Sequence, residues 1–126
     1  MSQEFKIEII SPDNSVYTDK TSEVVLPCFE GQITILKDHI PLITFLRPGL
    51  IEVDKKQKFY VEDGTVEFSD NKLLVLSTTV LSLKDFSKEK INSLLKDAEK
   101  RLLSNQISDK QKYLLNYKID TLKQIN

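Results

Sequence analysis

The side chains able to do chemistry fall into four sets: Cys28, His39, the carboxylates Glu62, Asp63 and Glu67, and the hydroxyl run Ser77-Thr78-Thr79. Each points to a different reaction, and each lacks what that reaction needs. A metal site wants several nitrogen, sulfur or carboxylate ligands, but His39 is the only histidine and has no cysteine near it. Cys28 is the single cysteine, so no internal disulfide can form. Flanked by Pro27 and Phe29, with no partner thiol or activating base in view, it reads as a buried or half-buried thiol with no redox role. Strand alternation would turn neighbouring carboxylates at 62, 63 and 67 to opposite faces, which defeats paired acid–base work. Ser77-Thr78-Thr79 has neither the elbow glycine nor the base of a nucleophilic site. The pattern argues against an enzyme.

His39 matters for another reason. It lies in the run Gly31-Gln32-Ile33-Thr34-Ile35-Leu36-Lys37-Asp38-His39-Ile40-Pro41-Leu42, answered by Arg47-Pro48-Gly49. That order predicts a glycine bend, a short strand and a proline-stiffened turn. A shaped loop on a β scaffold suits docking.

The elements that must hold this loop show two periodicities. Phe5, Ile7 and Ile9 alternate with Lys6, Glu8 and Ile10, and 24–29 and 33–36 continue the strand character. Hairpins are expected at 50–61 around Asp54-Lys55-Lys56-Gln57, and at 65–76 around Ser69-Asp70-Asn71; Asp63-Gly64 marks a further turn. Many short strands at close spacing predict a sandwich or flattened barrel. After Leu83 the period becomes helical. Phe86, Ile91, Leu94, Leu95, Ala98, Leu102 and Leu103 form one stripe, with Asp85 or Ser87 as the cap. Asn105-Gln106-Ile107 breaks it, and Ser108 to Gln111 is a capping box opening a second helix striped by Leu115, Ile119 and Leu122. The expected organisation is a β domain over 1–83 and an antiparallel helical hairpin over 84–126. Two such short helices gain little alone, so the hairpin must lean on the β domain, on a partner, or on each in turn.

Charge divides at the same place. Residues 1–83 hold eight Lys/Arg against thirteen Asp/Glu, and residues 84–126 hold ten against six. An acidic front and a basic tail suggest two surfaces with different partners. Nucleic acid is the weaker candidate, because the tail's basic residues alternate with acids and include one arginine. No run approaches the ~18 apolar residues of a membrane span, and Met1-Ser2-Gln3-Glu4 opens no signal peptide. Membrane association is therefore expected only through partners.

The ordered set Ser11-Pro12, Gly31, His39-Ile40-Pro41-Leu42, Arg47-Pro48-Gly49 and Val75-Leu76-Ser77-Thr78-Thr79, followed by a two-helix tail, resembles the epsilon subunit of rotary F-type ATP synthases, called delta in mitochondria. The resemblance spans essentially the whole chain. It implies a ten-stranded β-sandwich followed by the hairpin, no catalytic residues, no cofactor and no metal. It also implies a central-stalk place against the gamma subunit and the c-ring, with transient contact to the alpha and beta subunits, peripheral on the cytoplasmic face of a bacterial inner membrane. By position, Gln32, His39, Pro41 and Leu42 would meet the c-ring and gamma, though His39 could instead serve to hold its turn. In such subunits the hairpin can approach an acidic segment of beta and block hydrolysis, which would make Lys110, Lys112, Lys118 and Lys123 contacts; solvation of the outer helix face is their plain alternative.

Two departures stand out. Glu62-Asp63-Gly64 occupies a place where many members have paired glycines. At the first helix, ATP-binding members carry an aspartate, arginine and alanine where this chain has Ser87, Lys90 and Ile91. Lysine lacks arginine's planar fork, so tight ATP binding is not expected. A carbohydrate- or ligand-binding sandwich and a free adaptor are the competing classes. The first would want aromatic residues exposed on the sheet, and there is no tryptophan.

Overall fold

Alternation of apolar and polar residues builds the front of the molecule strand by strand. The computed structural model describes residues 3–126. Its strands are β1 (Phe5–Ile10), β2 (Ser15–Thr21), β3 (Glu23–Cys28), β4 (Gly31–Leu36), β5 (Leu42–Leu46), β6 (Gly49–Val53), β7 (Gln57–Val61), β8 (Gly64–Ser69), β9 (Lys72–Leu76) and β10 (Leu81–Ser82). They hydrogen-bond in the order β10-β7-β6-β3-β5-β8-β9-β1-β2, with β4 paired to β3. Every pairing is antiparallel except β1 with β9. The path narrows to one pair, Cys28 with Leu46, between β3 and β5. There the sheet folds over, and the two layers close on a core that includes Ile7, Ile9, Val24, Leu26, Ile35, Ile51, Phe68 and Leu73. At roughly 1.5–3 kcal/mol for each such side chain removed from water, this core holds the sandwich.

The turns obey their residues. Asp54 and Lys55 (φ 51° and 58°) turn β6 into β7, and Asp70 and Asn71 (φ 50° and 56°) turn β8 into β9, the paired positive angles that tight hairpins require. Gly64 takes φ +146°, and a Cβ there would lie 2.6 Å from the Leu76 carbonyl oxygen. Gly49 is needed for closeness, since its Cβ would meet the Pro27 ring at 2.5 Å. The hydroxyl run supports the Asp63 turn: Ser77 Oγ donates to the Asp63 carbonyl (2.8 Å), and the Glu62 N–H donates to Thr79 Oγ1 (2.9 Å).

A short 3-10 turn at Leu83–Asp85 leads into α1 (Lys88–Leu102) and α2 (Asp109–Ile125). Ser87, not Asp85, caps α1 by accepting from the Lys90 N–H at 3.1 Å. Ser108 and Gln111 form the expected capping box, at 3.1 and 2.8 Å. Ala98, Leu115 and Ile119 lock the two helices together. Leu103 departs from the expected stripe: it follows the last turn of α1 as its C-cap and stands 84% exposed.

Candidate functional site

The two outer faces of the sandwich differ. On the β6–β7–β10 side, Tyr60, Leu50 and Leu81 point outward and meet Phe86, Ile91 and Leu122 of the helical segment. Those helices lie docked, and polar contacts fasten them. Lys118, 8% exposed, places its Nζ 3.2 Å from Glu62 Oε2, which also accepts from Tyr60 Oη at 2.9 Å. Arg47 lays its guanidinium 3.8 Å from the centre of the Tyr117 ring, a cation–π contact. Tyr113 stacks on Phe29 with ring centres 6.4 Å apart.

The opposite face, on β5–β8–β9–β1, is bare. Strand register aligns Phe45, Thr65, Leu76 and Ile10 in one row across four strands. The next row runs Ile43, Glu67, Leu74 and Glu8. Ile43 is 75% exposed and Phe45 57%. β5 thus carries apolar residues on both faces, inward at Leu46 and outward at Ile43 and Phe45, which a strand facing water on one side does not need. A contiguous exposed apolar row of this kind marks an interaction surface.

Of the residues singled out by sequence, Gln32, His39 and Pro41 lie off that row, Leu42 opens the strand that carries Phe45, and Lys110 lines the groove over the row. Gln32 is exposed on β4, and Pro41 is exposed just before half-buried Leu42 opens β5. His39 holds its turn: its N–H donates to the Leu36 carbonyl (3.1 Å), and its ring Nδ1 lies 2.7 Å from the Ile40 carbonyl oxygen. Half-buried, its ring packs edge-on against Phe68. Asp38 and Asn71 tie the same turn to the β8–β9 hairpin at 2.7 and 2.9 Å. On α2, Lys110, Lys112 and Lys123 are exposed, whereas Lys118 is buried against Glu62 and is not free on the outer face in this arrangement. Sequence reasoning missed Arg47, Tyr60, Glu62 and Tyr113 as anchors, because their partners lie far away in the chain.

Among the described residues, the groups that could react are held in structural roles. Cys28 is fully buried, and burial, with Glu30 adding, pushes its thiol up to about 11 against the weaker opposing effects of Arg47 and a Thr44 hydrogen bond. Among the described residues no group of three or more His, Cys, Asp or Glu could hold a metal ion, and no helix is long and apolar enough to cross a membrane. Ser87, though exposed, is spent as a helix cap, and Ile91 is buried in the docking cluster.

A rigid sandwich with one face covered by its own helices and the other offering an apolar row defines a docking subunit of a larger assembly. Residues 4–82 match the family model described as the β-sandwich domain of the ATP synthase delta/epsilon chain, and the chain belongs to that family. It is 48% identical over 130 aligned positions to an ATP synthase epsilon chain of Pelagibacter ubique, covering all of both chains. It is 30% identical to the epsilon chain of Dichelobacter nodosus, over 72% of this chain and 66% of that one. Its fold is similar to a chain in the Euglena gracilis mitochondrial ATP synthase OSCP/F1/c-ring structure (TM-score 0.80, 15% identity, covering 98% of this chain and 82% of that one). A chain of the Tetrahymena thermophila central stalk and c-ring structure matches at TM-score 0.67 and 14% identity, over 98% and 96%. The chain is therefore a non-catalytic ATP synthase subunit of epsilon type.

Proposed function

We propose that this subunit joins the gamma subunit to the c-ring in the central stalk of a proton-translocating F-type ATP synthase, so that ring rotation reaches the sites making ATP from ADP and phosphate. The observation that carries this is the bare row Phe45, Thr65, Leu76 and Ile10 on a sandwich whose other face is already occupied. Gamma takes the bare face. Gln32, His39, Pro41 and Leu42, on and beside the pinned turn, face the c-ring and its junction with gamma. A joint that passes torque must not hinge, and the bonds from Asp38, Asn71 and His39 supply that stiffness. The complex sits on the cytoplasmic face of the inner membrane, and this chain reaches the membrane only through its partners.

The segment 84–126 forms a second working unit. Lys110, Lys112 and Lys123 already face solvent and can meet acidic surface on the beta subunits, restraining hydrolysis. Lys118 joins them only when the hairpin leaves Glu62. A photo-crosslinker at Phe45 should capture gamma in the assembled enzyme, and one at Gln32 should capture the c subunit. Capture of neither refutes the stalk assignment.

A further inference from the structure

Over the bare row itself lies an open, apolar groove of about 900 Å³, and it has walls from both parts of the molecule. Phe45, Leu76, Ile10 and Pro12 come from the sandwich, and Lys110 comes from the first turn of α2. Phe29 links the two. Its N–H donates to the Phe45 carbonyl (3.0 Å), its carbonyl accepts from Tyr113 Oη (3.4 Å), and its ring stacks on Tyr113, one turn beyond Lys110. Lys110 itself makes no ion pair among the described residues. A side chain pressed onto Phe45 and Leu76 therefore meets the Lys110 ammonium only while the helices are docked, whereas Phe29 stays beside it on the sandwich.

We infer that this groove takes an apolar segment of the gamma subunit carrying a carboxylate opposite Lys110, and that its binding holds the hairpin docked. The inference rests on gamma occupying the bare face. The groove is floored by that face's own row, Phe45, Thr65, Leu76 and Ile10, so the partner that covers the face also fills the groove. The exposed, unpaired ammonium at the groove's rim favours an acidic entrant through charge complementarity. Linkage then works both ways: a ligand that touches the docked form alone stabilises it, and docking strengthens that ligand's binding. Gamma is thereby more than an anchor for the sandwich; it biases the state of the helices on the far face.

The test uses the full chain and purified gamma, reading gamma affinity and amide hydrogen exchange in α2. Lys110→Glu suits the purpose because a carboxylate in the first turn of α2 favours the helix, so a weakened complex cannot be blamed on unfolding. Gamma saturation should slow α2 exchange at least about fivefold in the native chain. Lys110→Glu should weaken gamma binding by a similar factor and lose part of that slowing. Phe45→Glu should abolish binding altogether. Equal α2 exchange with and without gamma, while Phe45→Glu still abolishes binding, would overturn the linkage and leave the gamma assignment standing. Undiminished binding by Phe45→Glu would remove both. Self-association of the free chain that Phe45→Glu abolishes, without any gamma binding, would make a second copy the occupant and also overturn the proposal.

Discussion

Replacing Lys118 by methionine should loosen the hairpin without unfolding the sandwich. Methionine keeps the apolar stem in place and removes the ammonium that sits 3.2 Å from Glu62. At that distance the bare Coulomb attraction is about 1 kcal/mol in water and about 5 kcal/mol at an effective dielectric of 20. Desolvating the amine and fixing a long side chain offset much of it. The lysine side chain is 11% exposed and the glutamate 28%, so the pair lies between the surface and the interior. Surface pairs are worth under about 1 kcal/mol and breaking buried ones costs about 3–5 kcal/mol, which puts this loss at about 1–2 kcal/mol. Glu62 keeps its bond from Tyr60 and enough exposure to rehydrate, which argues for the lower half of that range. Amide exchange in α2 should therefore quicken about five- to twelvefold while β8 and β9 exchange as before. Glu62→Gln should act in the same direction, and the double variant should cost less than the two losses added, as expected of residues in contact. If Lys118→Met changes α2 exchange by less than about twofold, the pair does not fasten the hairpin and apolar packing alone does.

Other outcomes follow from single positions. Gly64→Ala should cost about 2–3 kcal/mol in urea unfolding, since the left-handed angle and the fixed Leu76 carbonyl leave its Cβ no room; a loss under half a kcal/mol, on the order of a surface substitution, would contradict the geometry. Cys28 should resist a thiol reagent at pH 8 until the chain unfolds, because its thiol, pushed up to about 11, is almost wholly protonated there. The same shift sets a sign: between about pH 8.5 and about 11 the unfolded chain releases this proton and the folded chain does not, so stability falls as pH rises. Calorimetric titration of the isolated subunit with ATP should give no micromolar affinity, and a dissociation constant on the order of micromolar would show that Lys90 substitutes for an arginine fork after all.

Much of the fold could be read from local chemistry. The Asp70-Asn71 hairpin, the Ser108–Gln111 capping box and the change of period after Leu83 depend on residues close in sequence, and each formed as expected. β2 escaped notice because Ser15–Thr21 is largely polar, an edge strand stabilised by its pairing with β1 more than by its own burial. The parallel pairing of β1 with β9 joins segments some sixty-five residues apart and leaves no local trace. Spacing alone puts Leu103 on the stripe, but the helix ends before it, so its direction is set by the cap. The bare face is half legible: Leu42-Ile43-Thr44-Phe45-Leu46 is too apolar for a strand with one wet side, but nothing in the run says which face meets a partner. The Glu62–Lys118 anchor was invisible, since nothing at either position names a partner fifty-six residues away.

The central claim is best tested by purifying tagged chain from its own detergent-solubilised membranes, native and Phe45→Glu in parallel, with ATPase activity assayed on each eluate. The native chain should bring gamma, the alpha and beta subunits and the c-ring, with ATP hydrolysis in the eluate. Phe45→Glu, altered only on the bare outer row, should fold normally and come away without them. Native chain recovered alone or with unrelated proteins, or a Phe45→Glu chain that retains the whole complex, would contradict the account.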